Sequence, residues 1–457
     1  MRKIYLLIIL LGSLSSAFSQ SDCDCEQALK QLIQKVEKEY PGFGDKTKDS
    51  IAYANYKESF LVKARGVENF DCVNILKMYL RYFKDGHISL FEANAPKKEN
   101  KIDISNDEFQ RRISETKDPL EGIWKSGLYK VGIIKLNDDY RGFIMNADTN
   151  FWKPGEIKFR LFDNGKADYF FRDHTLSVES YELVDNWILY FNSARYVKEF
   201  PKPDLTDNEI KAKIEELDGF YFKRLTDKTS LLCISSFEHN YVERINKLLE
   251  DKKDSIQNSE YLIIDVRNNL GGVYAGYEKL FPYLLTNELR GMNIEFLATP
   301  TLIDEFPKWY EGKKEKEEAL ELTKVFKEKI GKFVNPDTVT YYINYIKPAE
   351  KSPKEVVILV NRRTASSGEA FVLDARQSKK VKILGTPTYG VLDYGSASFF
   401  DFGCGNYKLM MPTWRTMRLP EYPIDNIGIQ PDIYLDKSVK DWVKFAINYL
   451  ENKSSKN

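Results

Sequence analysis

Four stretches carry side chains suited to nucleophilic catalysis. The first runs from Val356 to Ala375: five aliphatic residues, Val356 to Val360, then Thr364-Ala365-Ser366-Ser367-Gly368, then Glu369 to Arg376. The aliphatic run reads as a strand buried on both faces and the last run as a helix. A serine at such a strand-to-helix turn is lifted into solvent beside helix N-terminal amides, which can stabilise an oxyanion. Serine and threonine also cap helices, and taken alone this turn reads as a cap. The second stretch is Tyr261 to Gly272, a buried strand ending in Gly271-Gly272, where backbone amides can approach a ligand. The third is His87, just past the helix stop Lys84-Asp85-Gly86. The fourth is Ile424 to Asp432, a turn carrying the carboxylates Asp425 and Asp432.

These residues need elements to hold them. Residues 20–92 read as a helical subdomain, with apolar stripes at Leu29, Leu32, Ile33 and Val36 and at Val73, Leu76, Leu80 and Phe83. Residues 93–117 are charged and weakly patterned, the character of a linker. From 118 to 204 short alternating runs (Glu121–Trp124, Tyr129–Leu136, Gly142–Met145, Glu156–Phe162, Ala167–Phe171, Trp187–Phe191) are punctuated by Asn, Asp and Gly. They predict a small antiparallel β-barrel, similar in its opening Gly-x-Trp to lipocalin-like modules. Residues 205–445 alternate strand and helix, predicting an α/β domain, and 446–457 form a tail. The fold class is thus α+β and α/β, in several domains.

The 457 residues include 68 basic and 68 acidic side chains, so no basic surface points to nucleic acid. Met1-Arg2-Lys3, the apolar Ile4 to Leu11 and the small-x-small Ala17-Phe18-Ser19 predict a signal peptide over 1–19 and a secreted or periplasmic protein. The apolar run is short for a membrane span. Five cysteines in an exported chain permit one or two disulfides, Cys25 (or Cys23) to Cys72 among them. Cys233 and Cys404 sit in strand-like surroundings and read as buried apolar residues. Three histidines, none at ligand spacing with another or with a cysteine pair, predict no metal site. No cofactor motif is expected either.

The segments "YLIIDVRNNLGG" (261–272), "VVILVNRRTASSGEAF" (356–371), "VKILGTPTYG" (381–390), "IDNIGIQPDI" (424–433) and "FKDGHISL" (83–90) together resemble the S41 serine peptidases, both the C-terminal processing (tail-specific) and the tricorn-core types. The resemblance covers about 205–440 and, less fully, 25–92. It implies a ClpP/crotonase-like catalytic core and acyl-enzyme hydrolysis of peptides. It also implies Ser366 as nucleophile, three residues before the motif glutamate Glu369. The Ser367 amide with Gly271 or Gly272 would form the oxyanion hole. Tail-specific members carry a general-base lysine after the TxG turn; Val391 stands there, and valine takes no proton. The tricorn type uses a histidine and an acid, which implies His87 and Asp425. Gly86 replaces the serine that precedes that histidine, and Asp425 is one methylene shorter than the usual glutamate. Many members carry a PDZ domain where 118–200 read as a barrel. An alternative on the same fold is a non-catalytic carrier of an apolar ligand.

Overall fold

The computed structural model describes residues 24–67, 69–92, 101–102, 104–147, 152–171, 174, 176–191, 194–310, 312–404 and 407–453. The expected signal segment lies outside them. Two compact units divide the chain: one gathers residues up to 93 with 290–344 and 389–428, the other 94–289, 345–388 and 429–457.

In the first unit the Asp24 carboxylate accepts from the Gln27 amide at 2.8 Å and so caps the helix Cys25–Glu39. Its Ala28, Leu29, Leu32, Ile33 and Val36 are buried, as their spacing predicts. The helices Ser50–Ala64 and Asn69–Leu80 pack against it. Cys25 and Cys72 are joined across a Cα–Cα distance of 5.4 Å, the predicted bond. Cys404 is also oxidised, with its partner outside the described residues, so the reading of it as a free apolar thiol fails. Cys233 alone among the described cysteines remains a thiol. The aromatic core of Tyr53, Phe60, Tyr79 and Phe83 continues into Phe400, Leu409 and Met411 of a three-stranded sheet. That sheet pairs Ser89–Glu92 with Tyr407–Met411 in antiparallel register, Ser89 opposite Met410. The helix stop differs from expectation. The left-handed residue is Lys84 (φ 46°), after a short 3-10 turn Arg81–Phe83.

The second unit holds an eight-stranded closed barrel and a six-stranded sheet. The barrel runs from Gly122–Ser126 to Arg195–Phe200, each strand antiparallel to the next. The strands Leu176–Val184 and Arg195–Phe200 escaped the sequence reading. In the first of these Leu176 and Val178 are exposed, which leaves no apolar half-buried face to read. Trp124, Val131, Ile133, Phe159, Leu161, Tyr169, Phe191 and Tyr196 form one buried cluster. The rings of Phe159, Phe191 and Tyr196 pack with centroids 5.0–5.9 Å apart. An eight-stranded barrel is just wide enough to be filled by side chains, and this one is. Inside the stretch expected as linker, Ser105 caps a helix, Asn106–Glu115. It buries Phe109 and Ile113 against Ile123, Ile134 and Phe143 of the barrel strands. Only two apolar residues mark that face, too few to announce a helix among so many charges.

The sheet follows the order Phe220–Arg224, Thr229–Ile234, Tyr261–Asp265, Glu355–Val360, Val381–Gly385, Ile433–Tyr434. All neighbours but the first pair are parallel. The helix Trp442–Lys453 sets Ala446 and Leu450 against Leu231, Ile263, Val357 and Leu359. Asp265 pairs with Leu359, so the turns leaving these two central strands emerge side by side. In open α/β sheets that end of the strands is where ligands bind.

Candidate active site

Those neighbouring turns are stitched together. The Ala365 amide donates to the Asn269 carbonyl at 2.9 Å, and the Thr364 hydroxyl to the Val266 carbonyl at 2.9 Å. Asn268 and Asn361 exchange two hydrogen bonds of 3.0 Å. The helix Ser367–Ala375 starts after Ser366, whose backbone stands at φ 50°, ψ −120°. For a residue with a Cβ this conformation is strained, and such strain persists where surroundings enforce it. Glu369, fully buried, supplies the enforcement: its Oε2 accepts from the Ser366 amide at 3.1 Å and its Oε1 from the Thr388 hydroxyl at 2.5 Å. Thr388 Oγ1 in turn accepts from the Ile429 amide at 2.7 Å.

The adjacent serine is differently placed. Ser367 donates its hydroxyl to the Gly272 carbonyl at 2.6 Å, which commits it to the turn. The two glycines also separate. Gly271 donates its N–H to Asn269 Oδ1 at 2.9 Å, so this amide is occupied. The Gly272 and Ser367 amides donate to no acceptor among the described residues. Both glycines are required: a Cβ on Gly271 would lie 2.9 Å from Ser366 Cβ, and one on Gly272 would lie 2.0 Å from the Phe237 backbone. Asn269, buried, holds the turn from both sides by donating to the Ile234 carbonyl at 3.0 Å. Sequence reasoning gave Asn269 and Thr388 no role, because neither shows its partners in the linear chain.

In the first unit His87 sits within a cluster of acids. Its backbone N–H donates to Asp85 Oδ1 at 2.8 Å, and its Nδ1 lies 3.8 Å from that same oxygen. The imidazole also hydrogen-bonds the Tyr394 backbone. Burial pushes the His87 pKa below its ordinary 6.5, against the opposing charge of Asp425. Asp425 Oδ1 accepts from the Leu392 and Asp393 amides, each at 2.9 Å, and its Oδ2 lies 3.3 Å from Lys46 Nζ. Burial, then the charge of Asp85, raises the Asp425 pKa to about 6. Burial also raises Asp85, whose Oδ2 accepts from the Tyr40 hydroxyl at 2.8 Å. Asp85, Tyr40 and Lys46 were missed; for Asp85 the signal was there, two residues before the histidine.

Gly86 answers a departure noted in the sequence. A Cβ there would stand 3.0 Å from Val391 Cγ2 and 3.3 Å from the Tyr389 ring. Valine at 391 therefore leaves little space for a serine before the histidine. The six predicted site residues thus fall into two groups. Ser366, Ser367, Gly271 and Gly272 belong to the second unit, and His87 and Asp425 to the first.

Residues 228–435 match the family model of peptidase family S41. That segment, which carries the strands from Thr229–Ile234 to Ile433–Tyr434, is an S41-type domain. The match supports a serine-type peptidase domain. No curated protein sequence matches it. Among solved structures, mature CPAF superposes with a TM-score of 0.50 at 15% identity, over 90% of this chain and 92% of that one. The photosystem II D1 C-terminal processing protease gives 0.40 at 13% identity, over 93% and 96%. The tricorn protease gives 0.42 at 12%, over 94% of this chain and 37% of its own. Among the described residues, a closed eight-stranded barrel stands in the sequence between the N-terminal helices and the strands of the six-stranded sheet. Among the described residues no helix is long and apolar enough to cross a membrane.

Proposed function

We propose that this chain is an exported S41-type serine peptidase that cleaves peptide bonds through an acyl-enzyme on Ser366, with His87 as general base. The Ser366 hydroxyl proton passes to His87 as Oγ attacks the scissile carbonyl. The Ser367 and Gly272 amides receive the oxyanion; of the two glycines expected to offer the second amide, Gly271 already donates to Asn269. His87 returns the proton to the departing amine, and water then attacks the ester by the same route. Asp425 supplies the negative charge that steadies the imidazolium, with Asp85 beside it.

The observation that carries this reading is the strained Ser366 backbone braced by buried Glu369, next to a serine whose hydroxyl is spent on Gly272. Export is supported by the N-terminal segment and by the oxidised Cys25–Cys72 pair, which suits an oxidising compartment. The filled barrel interior favours this reading over a carrier holding an apolar ligand inside the barrel. A fluorophosphonate probe should label the purified protein at Ser366. Ser366→Ala should abolish labelling and peptide hydrolysis, while Ser367→Ala should retain labelling. Labelling that survives Ser366→Ala and disappears in Ser367→Ala would overturn the assignment.

A further inference from the structure

The first unit contains a cavity of about 470 Å³ whose mouth is cationic. Lys77, Arg81 and Lys84 line it together with Gly86, Ser89 and Tyr389. Lys77 and Arg81 stand four residues apart at the end of the Asn69–Leu80 helix and its 3-10 extension, so they share a face. Lys84 is set by its left-handed backbone, and its carbonyl accepts from Asn426 Nδ2 at 2.7 Å. None of the three cations lies within ion-pair distance of an acid among the described residues. Asp85 is in the wall but does not neutralise them. Its oxygens are committed to Tyr40 and to the His87 amide.

Like charges four apart on a helix repel each other. The helix dipole accounts for a cation in the last turn; it does not account for Lys84 beyond it or for the concavity between them. A cleft lined by one sign of charge concentrates ions of the other sign, and arginine grips a carboxylate with two parallel hydrogen bonds. Gly86, in the lining, is the residue before His87. We propose that the Lys77–Arg81–Lys84 cavity binds a carboxylate of the peptide substrate, so that the enzyme selects anionic peptides. This rests on the peptidase reading. The carboxylate can come from an acidic side chain or from the peptide's own C-terminus, and the experiment separates them.

Binding is measured by fluorescence anisotropy on Ser366→Ala protein, with short labelled Ala/Gly/Leu peptides. One carries a glutamate, one a glutamine in its place, and each is made with a free or an amidated C-terminus. The expected result is roughly ten-fold tighter binding of whichever carboxylate the cavity takes, lost at high salt. Lys77→Gln/Arg81→Gln should remove that preference and leave the neutral amidated peptide unaffected. Arg81→Glu should shift preference toward a lysine-bearing peptide, which mere loss of fold would not do. In the active enzyme the double variant should raise KM for anionic peptides with kcat unchanged and fluorophosphonate labelling intact. Equal affinity for all four peptides, or equal weakening of all four in the variant, overturns the proposal. Charge-selective binding without any fluorophosphonate labelling of the unmutated protein would leave the cavity standing and sink the peptidase mechanism instead.

Discussion

At Glu369 a buried carboxylate does what a surface cap does not: it ties the Ser366 amide to Thr388 and thereby to Ile429. Glu369→Ala would leave the Ser366 amide and the Thr388 hydroxyl without their acceptor, a loss of about 1–3 kcal/mol for each buried group stranded. Fluorophosphonate labelling should slow accordingly, and unchanged kinetics would show that the strained turn holds itself. The acid cluster makes its own prediction about pH. His87 is held below its ordinary 6.5 by burial, and Asp425 is raised to about 6 by burial and Asp85. Both must be deprotonated for base catalysis, so kcat/KM should rise with pH through an apparent pKa below the ordinary histidine value. Asp425→Asn removes the charge that raises His87, and should shift that limb to lower pH while lowering its plateau by roughly 100-fold or more. For stability the sign is the reverse of the usual carboxylate. A folded-state pKa above the unfolded one means the folded protein binds more protons between the two values. The Asp425 contribution therefore falls as pH rises from about 4 toward about 6. Urea denaturation across that window should show a component of this slope that Asp425→Asn lacks.

At the scale of elements, the barrel and the N-terminal helices are stabilised by different means. Phe159 is fully buried and packs on Tyr196, Phe191 and Tyr169 at the barrel centre. Phe159→Ala should cost about 3–5 kcal/mol in denaturant unfolding. A cost near zero would mean that the interior is not packed. The three-helix core is joined by the Cys25–Cys72 bond, which closes a separation of 47 residues. Cys72→Ser should destabilise by about 2–5 kcal/mol, and reductant should lower the melting temperature of the unmutated protein but not further lower that of a variant lacking every disulfide. The turn before His87 is coupled to another segment. Gly86→Ser should perturb activity more than Gly86→Ser combined with Val391→Ala, since the second change removes the methyl 3.0 Å from the new Cβ.

For the whole molecule, much of the architecture could be read from periodicity. The aliphatic runs 261–265 and 356–360 became central parallel strands, and the alternation in 156–162 became a barrel strand. Local pattern failed where burial is not periodic along one segment, as in Leu176–Val184 and Asn106–Glu115. The types of the chemical groups were equally legible, since a serine at a strand-to-helix turn and a histidine without a lysine rival follow from residue identity and order. What the linear chain could not decide was which polar groups are already satisfied. Only the tertiary structure assigns Gly271's amide to Asn269, Ser367's hydroxyl to Gly272 and Glu369's carboxylate to Thr388. It likewise brings Asp85 and Asp425 to one imidazole, with Tyr40 and Lys46 against their oxygens, where burial raises both carboxyl pKa values. Propensity acts between near neighbours, whereas hydrogen-bond satisfaction and desolvation depend on segments hundreds of residues apart.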